Sequence, residues 1–442
     1  MAGLGERRLF GTDGVRGVAG SEITAALALS LGRAAVLQSA TDSPRVLVIR
    51  DTRESGEMLE AAIAAGLASA GAEVLLGGVL PTPAASLLIR RHGFDLGVVL
   101  SASHNVYSDN GIKFFGADGF KLSDERERLI EEHLDEEAAG AAHVGRIRPL
   151  HGALEDYVRD LHHRFQSLAL SGLDVLLDCA NGATYRVAPA IFERFGARVS
   201  TIGVDPDGRN INADCGSTHI DALARAVVAG GHDIGFAFDG DGDRVLAVDR
   251  DGMLVDGDEL LTIVALHLLE DGRLPGNGIA VTVMTNFAIV AMLEQAGLNV
   301  ASTAVGDRYV LEALRERGWA LGGEQSGHII ELGFAPSGDG IASALLLLEA
   351  LGGRDLRDRA NVQKLPQRLV NVRVRDRGSL AAAAGVHAAV EREGAELAGR
   401  GRVLVRPSGT EPLVRVMVEA PSVKEAEEVC GRLVAVVQAE LG

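Results

Sequence analysis

Short apolar runs that end in polar residues recur along the chain, and this alternation constrains its fold more than any other feature. VLVIR leads to Asp51, IGFAF leads to Asp239 and IAVTV leads to Met284. Stretches of helical period rich in Ala and Leu separate such runs, at 57–70, 187–195, 221–230, 258–270 and 287–297. Alternating strands and helices predict an α/β fold with mostly parallel sheets. In such sheets ligands bind at the carboxyl ends of the strands, where this sequence has its polar loops.

The chain has 442 residues, which is more than one hydrophobic core usually serves, since cores stop growing at about 250–300 residues. The spacing of the runs predicts α/β domains at 1–152, 153–255 and 256–366. The stretch 367–442 changes character, with strands predicted at 368–376, 402–406 and 413–419 and helices at 379–398 and 422–441. We therefore expect three similar α/β domains with mixed or parallel sheets, followed by a smaller C-terminal α+β domain.

The charge of the chain restricts its partners. With 61 acidic and 43 basic residues, the formal net charge is −18. A negative field repels nucleic acid and anionic membranes, so we expect neither as a partner. Three widely spaced cysteines without a CxxC pair, no apolar leader segment and no membrane-length apolar run favour a cytoplasmic protein. An anionic metabolite would need a local positive site.

The run DGDGDR, from Asp239 to Arg244, carries three carboxylates separated only by glycines. Without a cation, such close carboxylates would repel one another and their pKa values would rise. Glycine lets the backbone bend so that the oxygens converge, and hard oxygen ligands suit Mg²⁺ or Ca²⁺. We therefore predict that Asp239, Asp241 and Asp243 bind a divalent metal. A solvated turn of two Asp-Gly dipeptides is the alternative.

Two other interpretations of this run agree less well with the sequence. An EF-hand needs Gly at its sixth position and Glu at its twelfth, but Arg244 and Arg250 occupy those positions. A strand followed by Asp-x-Asp is also typical of aspartate-nucleophile phosphotransferases of the haloacid dehalogenase type. That interpretation leaves Ser103 unexplained, yet it too indicates phosphoryl chemistry with a divalent metal.

The stretch SASHN places Ser103 next to His104 after an apolar run. A hydrolase would need an oriented base and an oxyanion hole, and no G-x-S-x-G elbow surrounds this serine. Neighbouring residues of an extended chain point in opposite directions, so we expect His104 to be badly placed as the base of Ser103. We predict that Ser103 carries a phosphoryl group and that its phosphate shares the metal of the aspartates. An ordinary serine-rich loop is the alternative.

Other polar residues complete the predicted site. Lys113 is one of only four lysines, and it could serve as an acid/base or as a charge stabiliser. In GGEQSGH, Glu324 and Ser326 suit sugar hydroxyls and His328 suits proton transfer. The N-terminal LFGTDGVRG supplies Thr12 and Arg16 as further phosphate contacts. A tight Asp-Gly turn or a structural histidine would be the plainer interpretations.

The stretch VRPSGTEPLVR covers 405–415 and resembles an anion-binding turn. A rigid Pro-Ser-Gly-Thr turn between two strands can direct backbone N–H groups and hydroxyls at one anion, and the flanking Arg406 and Arg415 add charge-assisted bonds. It is not a P-loop, because the chain lacks GxxxxGK[ST]. A hairpin turn with surface arginines is the alternative.

Five motifs, FGTDGVRG, SASHN, DGDGDR, GEQSGH and RPSGTEP, follow one another in this order. With these motifs the chain resembles the α-D-phosphohexomutase superfamily over essentially its whole length. It is most similar to the bacterial phosphoglucosamine mutases, because Gln325 and the stretch VGDRYV at 305–310 differ from what the glucose and mannose relatives tend to carry.

The resemblance implies a reaction and a set of site residues. Glucosamine 6-phosphate and glucosamine 1-phosphate would interconvert through phosphoserine 103 and a 1,6-bisphosphate, in the synthesis of amino-sugar nucleotides and cell-wall precursors. Mg²⁺ would bind Ser103, Asp239, Asp241 and Asp243, and the other catalytic candidates are Lys113, His328, His104 and Arg244. Substrate contacts are assigned to Thr12, Arg16, Arg308, Glu324, Ser326, Arg406, Ser408, Gly409, Thr410 and Arg415.

The resemblance also implies a central cleft between the domains and a sugar phosphate as the partner. Glucosamine or glucose 1,6-bisphosphate is expected as a possible activator, and a homodimer is a possible assembly. One residue departs from the superfamily, which usually has Pro where this chain has Val106. Since proline would stiffen the turn behind Ser103, we expect the departure to affect loop rigidity more than chemistry. A phosphoglucomutase or phosphomannomutase, and a non-enzymatic protein that binds metal and sugar, are the alternatives.

Overall fold

The computed structural model describes residues 9–11, 13–37, 39, 41–134, 143–359, 362–408 and 412–442. It contains four sheets with flanking helices, which confirms the predicted mixed α/β fold class. The chain divides into two compact units, one formed by 1–284 and 299–359 and the other by 285–298 and 360–442. Across the described ranges, no helix is both long and apolar enough to span a membrane. The predicted domain boundaries stay a prediction.

The first sheet of the larger unit has seven strands with helices on both faces. Its strands are β1 (Phe10–Gly11), β2 (Gly14–Val18), β3 (Arg45–Arg50), β4 (Glu73–Val79), β5 (Leu96–Leu100), β6 (Asp109–Gly116) and β7 (Ile147–Pro149). The accompanying helices are α1 (Ala25–Leu37), α2 (Ser55–Ser69), α3 (Thr82–His92), α4 (Asp124–Glu132) and α5 (Ala153–Arg164). The strand order is β1-β2-β6-β5-β3-β4-β7, and the strands from β5 to β7 in that order are parallel. Val46 and Val48 pack in one core with α1 and α2, because alternate residues of a strand share a face.

The second sheet has five strands around a parallel centre. Its strands are β8 (Asp174–Asp178), β9 (Arg198–Ile202), β10 (Ile234–Phe238), β11 (Val245–Asp249) and β12 (Leu254–Val255), with helices α6 (Val187–Arg194) and α7 (Ile220–Gly230). In the order β12-β11-β10-β8-β9, strands β10, β8 and β9 are parallel, while β11 and β12 are antiparallel to their neighbours. Every residue of β10 is buried, as its continuous apolar run IGFAF predicts.

The third sheet has four strands in the order β14-β13-β15-β16. The elements that follow β12 along the chain are α8 (Gly257–Glu270), β13 (Gly278–Thr282), α9 (Phe287–Gln295), β14 (Asn299–Thr303), α10 (Asp307–Arg317), β15 (Leu321–Gly323), β16 (Ile329–Glu331) and α11 (Gly340–Leu351). Helix α8 begins with a capping box, in which Asp256 and Glu259 each bond to the other's backbone N–H. Short 3₁₀ helices lie at Pro275–Asn277 and Leu356–Asp358.

The smaller unit contains α9 and the C-terminal α+β fold. An antiparallel sheet of order β17-β19-β18 is formed by β17 (Gln367–Arg373), β18 (Arg402–Pro407) and β19 (Leu413–Glu419), and its helices are α12 (Ala384–Glu396) and α13 (Val423–Leu441). The strands agree with the predicted ones to within three residues. The predicted helix at 379–398 begins late, because Arg377–Ala382 forms a 3₁₀ helix before α12. The buried side chain of Leu380 holds this turn against the core.

The three sheets of the larger unit share one arrangement that positions the site. In each, a strand from the parallel part leads into a polar loop and returns as an antiparallel neighbour, namely β5 to β6, β10 to β11 and β15 to β16. The three loops contain SASHN, DGDGDR and GEQSGH respectively. The predicted site loops therefore lie at the carboxyl ends of these strands, as expected for ligand-binding loops.

Candidate active site

Ser103 lies in the loop between β5 and β6 with its side chain buried. Its Oγ donates a 2.6 Å hydrogen bond to Oδ2 of Asp239, joining two loops that are distant in sequence. The backbone of Ser103 has a φ of 51°, and its N–H donates to Oγ of Ser101 at 3.0 Å. A non-glycine residue in this left-handed region costs of order 1–3 kcal/mol, so surrounding contacts must stabilise the turn. The turn directs the serine hydroxyl at the acidic run.

Asp239, Asp241 and Asp243 lie together in the loop after β10, and all three are buried. One carboxylate oxygen from each residue lies within 4.8 Å of one such oxygen from each of the other two. Oδ1 of Asp241 and Oδ1 of Asp243 are buried without a hydrogen-bond partner in the described part of the chain, and buried polar atoms are nearly always satisfied by another group. Burial, and then the charges of Asp243 and Asp241, raise the pKa of Asp239 well above its ordinary value. The residues therefore fit a divalent cation with oxygen ligands.

Lys113 projects from β6 into this acidic cluster and is fully buried. Its Nζ lies 2.9 Å from Oδ2 of Asp241 and 3.0 Å from Oδ2 of Asp13. Burial alone would lower the pKa of Lys113, but Asp13 and Asp241 raise it above its ordinary value. Of the two roles left open by the sequence, this environment favours the charge stabiliser, because a base must give up its proton.

Asp13 connects several cations at the edge of the site. It contacts Lys113, and it forms short ion pairs with Lys121 and Arg16. Burial alone would raise the pKa of Asp13, but these three cations lower it well below its usual range. Lys121 also donates to Oδ2 of Asp307 at 2.6 Å, which links the first sheet to the beginning of α10. Arg16 therefore lies near the site, held by Asp13.

His104 is closer to Ser103 than an extended chain would allow. Its Nδ1 lies 3.4 Å from Oγ of Ser103, because the positive φ of Ser103 turns the backbone. The premise of an extended loop was wrong, yet the serine donates its short bond to Asp239 and not to the imidazole. Burial, followed by the positive charges of Arg244 and Arg16, lowers the pKa of His104 to about 4. His104 is therefore neutral at physiological pH.

Arg244 and His328 join the DGDGDR and GEQSGH loops through an isolated antiparallel bridge. The backbone N–H of Arg244 donates to Oδ1 of Asp239 at 3.1 Å. The ring of His328 is buried, with Nδ1 3.7 Å from Oδ2 of Asp243 and with Nε2 accepting from the N–H of Gly338 at 3.1 Å. Because Nε2 is an acceptor, the ring proton lies on Nδ1 and faces Asp243.

The remaining residues of the GEQSGH loop have different surroundings. Oε1 of Glu324 accepts the N–H of Gly306 at 2.9 Å, while Ser326 is exposed. Gln325 donates through Nε2 to Oδ2 of Asp256 at 3.3 Å, so its amide is directed at the beginning of α8. Arg308 lies in the first turn of α10, where it pairs with Asp124 and Glu312.

Models of four domains match the chain in order. They are described as phosphoglucomutase/phosphomannomutase α/β/α domain I over 7–141, domain II over 155–252, domain III over 256–369 and the C-terminal domain over 369–436. The chain belongs to the phosphoglucomutase/phosphomannomutase family. The predicted phosphohexomutase resemblance is thereby confirmed, and with it the prediction of an enzyme.

Curated relatives of this family member extend over nearly its whole length. Phosphoglucosamine mutase from Moorella thermoacetica is 51% identical over 438 residues, covering 96% of this chain and 98% of the relative. Phosphoglucosamine mutase from Streptomyces coelicolor is 50% identical over 451 residues, covering 98% of this chain and 100% of the relative.

Solved structures of the family share the fold. A phosphoglucomutase/phosphomannomutase family protein from Burkholderia thailandensis has a TM-score of 0.83 at 25% identity, covering 98% of this chain and 97% of that one. N-acetylphosphoglucosamine mutase from Aspergillus fumigatus, solved with GlcNAc-6P and magnesium, has a TM-score of 0.69 at 18% identity, covering 99% and 97% of the two chains.

The smaller unit of this phosphohexomutase carries the predicted phosphate-binding loop. Arg406 and Arg415 are paired residues of β18 and β19, and burial followed by Arg415 lowers the pKa of Arg406. Among the residues that the structure describes, no group bonds to the buried Nε of Arg415. Ser408 is buried, and its carbonyl accepts from Nη1 of Arg377 at 2.9 Å. Three other predicted contacts lie outside the described residues, namely Thr12, Gly409 and Thr410.

Sequence reasoning missed several residues of the site. Oγ1 of Thr82 donates to Oδ2 of Asp241 at 2.7 Å, and nothing in the sequence around this threonine signals that contact. Asp13 and Lys121 could have been found, because Asp13 lies inside the FGTDGVRG motif and Lys121 is one of four lysines. The role of each predicted residue stays a prediction, but the structure brings Ser103, the three aspartates, Arg244 and His328 into one cluster, whereas Ser326 is exposed.

Proposed function

We propose that the chain is a phosphoglucosamine mutase that interconverts glucosamine 6-phosphate and glucosamine 1-phosphate. The observation that carries the proposal is the 2.6 Å hydrogen bond from Ser103 to Asp239, within a buried acidic cluster. Each of its other members has one oxygen to which none of the described residues bonds. Such a cluster suits a metal-assisted phosphoryl transfer from a serine. The names of the curated relatives support glucosamine as the sugar.

In the forward direction, the phosphoryl group of phosphoserine 103 passes to the C1 hydroxyl of glucosamine 6-phosphate. The bond from phosphorus to the sugar oxygen forms, the bond to Oγ of Ser103 breaks, and the proton of the C1 hydroxyl ends on Oγ of Ser103. The resulting 1,6-bisphosphate turns over, and its 6-phosphoryl group returns to Ser103. A glucosamine or glucose 1,6-bisphosphate would therefore also phosphorylate an enzyme that has lost its phosphate.

Asp239, Asp241 and Asp243, with the phosphate on Ser103, would hold Mg²⁺. When bound, the metal would neutralise phosphate charge and polarise the phosphorus. Lys113 adds a permanent positive charge beside Asp241. His328 orients Asp243 through its Nδ1 proton, and this role suits it better than proton transfer because the protein engages both ring nitrogens.

The substrate contacts follow from the charges and polar groups of the loops. Arg406 and Arg415 would bind the non-reacting phosphate, with Ser408 beside them. Glu324 and Ser326 would bind sugar hydroxyls, and Arg16, Arg244 and Arg308 would add positive charge. Cytoplasmic location, a homodimer and a place in cell-wall precursor synthesis stay predictions.

The test is the rate of interconversion of the 1- and 6-phosphates of glucosamine, glucose and mannose, with Mg²⁺ present. We expect glucosamine to lead by orders of magnitude, Ser103→Ala to abolish turnover and Ser108→Ala, in the same loop but exposed, to retain it. If glucose or mannose leads, the chain is a phosphoglucomutase or phosphomannomutase. An acyl phosphate cleaved by hydroxylamine would instead indicate Asp239 as the nucleophile.

A further inference from the structure

The side chain of Arg53 is completely buried, in the loop that follows β3. Its five N–H groups are all used. Nε donates to Oδ2 of Asp51 at 2.8 Å. The other four donate to main-chain carbonyl oxygens of one loop, at Ser103 and Asn105 (2.9 Å each), at Asp109 (3.0 Å) and, by a short bond, at Val106.

These four carbonyls belong to the loop that carries the reactive serine. The loop has few restraints of its own, because its internal backbone bonds are Asn105 to Ala102 and Asp109 to Val106, at 3.1 Å each. Val106 is 63% exposed and is not a proline, so neither burial nor a ring fixes the chain there. The strained φ of Ser103 is therefore stabilised from outside the loop, and Arg53 is the group that contacts the most of it.

A second side chain bonds to two of the same oxygens. Nδ2 of Asn212 donates to the carbonyls of Ser103 and Asn105 at 3.0 Å each. Close to it, a Cβ on Gly240 would lie 2.6 Å from the carbonyl oxygen of Ser103, so only glycine lets the metal-binding loop approach this closely. The serine turn is thus held between the guanidinium of Arg53 and the second sheet's loops.

The anchor beneath Arg53 is itself well supported. Asp51 accepts from the backbone N–H of Arg53 at 3.0 Å and from Oγ of Ser101 at 2.6 Å. Asp51 pairs with the guanidinium of Arg53 in a fully buried site, so the pair adds little net charge to the reaction. Arg53 instead fixes the position of the loop backbone. Full burial also keeps Arg53 from touching the sugar phosphate.

We propose that Arg53 is a positioning residue for phosphoryl transfer: its guanidinium fixes the backbone of the serine loop and so aligns Ser103 with Asp239. The proposal rests on the proposed function, in which Ser103 carries the phosphoryl group. Lysine cannot replace Arg53, because an ammonium group has three donors and lacks the planar fork that reaches four carbonyls.

The test compares Arg53→Lys with wild type and with Arg45→Lys, a conservative change at the first residue of β3, where the arginine contacts His92 and Gly93 and not the loop of Ser103. We expect kcat of Arg53→Lys to fall by about 100-fold, the cost of a misplacement of about 1 Å. KM for the sugar phosphate and the Mg²⁺ affinity should stay within about threefold, and Arg45→Lys should match wild type. An unchanged kcat, or a rise in KM at constant kcat, would overturn the proposal.

A second variant covers the case in which Arg53→Lys does not fold. Asn212→Gly removes the amide but accepts the positive φ of 58° at that position without strain. We expect kcat to fall by about tenfold, because the two hydrogen bonds to the carbonyls of Ser103 and Asn105 are lost, with KM unchanged. Where both variants fold, the double variant should depart from the product of the two single losses, because both side chains hold the same two carbonyls.

A loss equal to that product, or a loss of kcat that matches the unfolded fraction in thermal melts, would overturn the proposal. Failure of the proposed function can be distinguished from failure of this proposal, because the wild-type protein itself would then lack either phosphoserine or turnover.

Discussion

Nζ of Lys113 lies 2.9 Å from Oδ2 of Asp241, while Oδ1 of the same carboxylate has no hydrogen-bond partner among the described residues. One carboxylate thus balances a fixed protein charge and keeps an oxygen available for a metal. This arrangement explains how three buried aspartates can coexist, because Lys113 offsets part of their charge before any cation binds.

A substitution that removes the charge of Lys113 should therefore lower kcat more than one that keeps the charge and changes the shape of the side chain. We expect Lys113→Met to lower kcat by about 100-fold or more, since a preorganised charge in a buried site is lost. Lys113→Arg should retain clearly more activity, because arginine keeps the charge but cannot serve as a base. The exposed Lys424→Met is the control. Equal losses in two folded variants would indicate proton transfer by Lys113.

Metal binding should be visible without any assay of turnover. Asp241→Asn and Asp243→Asn should weaken Mg²⁺ binding in calorimetry. Asp239→Asn should melt higher than wild type in EDTA, since burial and then the charges of Asp243 and Asp241 raise the pKa of Asp239, but should gain less from Mg²⁺. The exposed Asp251→Asn should behave as wild type. If the melting temperature of the wild-type protein did not change on addition of Mg²⁺, the assignment of the three aspartates as a metal site would be contradicted.

The two arginines of the C-terminal loop should act on substrate binding. Arg406→Ala and Arg415→Ala should each raise KM by about 10- to 100-fold, because a charged hydrogen bond contributes about 1.5–3 kcal/mol. Stability should hold or rise, since the two cations face each other across β18 and β19. Arg368→Ala, at an exposed position of β17, is the matched control. An unchanged KM in both variants would remove these residues from the phosphate site.

Stability should depend on pH through Asp339, which caps α11 and accepts from Tyr157 at 3.0 and 2.9 Å. Burial raises the pKa of Asp339 from 3.8 to about 6. The native state then binds the extra proton, so this stabilisation is complete below pH ~4 and is lost as pH rises through about 6. The difference corresponds to roughly 3 kcal/mol.

The comparison with Asp339→Asn isolates this effect, because asparagine can still cap the helix. Relative to wild type, the free energy of unfolding of Asp339→Asn should increase between pH 4 and pH 8, measured by urea denaturation. The exposed Asp221→Asn, which leaves Asp339 in place, is the matched control. A difference for Asp339→Asn that does not change with pH would mean that Asp339 is ionised throughout.

The strands and the site loops could be predicted because both depend on local pattern. The apolar run before Asp239 had to form a buried strand, and its polar continuation had to lie at the carboxyl end. Helices α6, α7 and α9 begin and end within two residues of their predicted bounds. The convergence of Ser103 on Asp239 followed from the same reasoning about strand ends.

Contacts between distant segments could not be predicted from local pattern. Thr82 contacts Asp241, and Arg53 contacts the loop of Ser103, only because the tertiary fold brings segments that are distant in sequence together. The antiparallel returns β6, β11 and β16 were also missed, since a short apolar run does not reveal its direction. The expectation that Val106 loosens the loop took no account of Arg53, which bonds to its carbonyl.

The central claim is that Ser103 carries the phosphoryl group that reaches the sugar. The most direct test is a single turnover of enzyme labelled with ³²P, with the label first mapped to the peptide of Ser103 and shown to resist hydroxylamine. On mixing with glucosamine 6-phosphate and Mg²⁺, the label should pass to the sugar bisphosphate at least as fast as kcat. Label that stays on the protein during turnover, or leaves only as inorganic phosphate, would contradict the account.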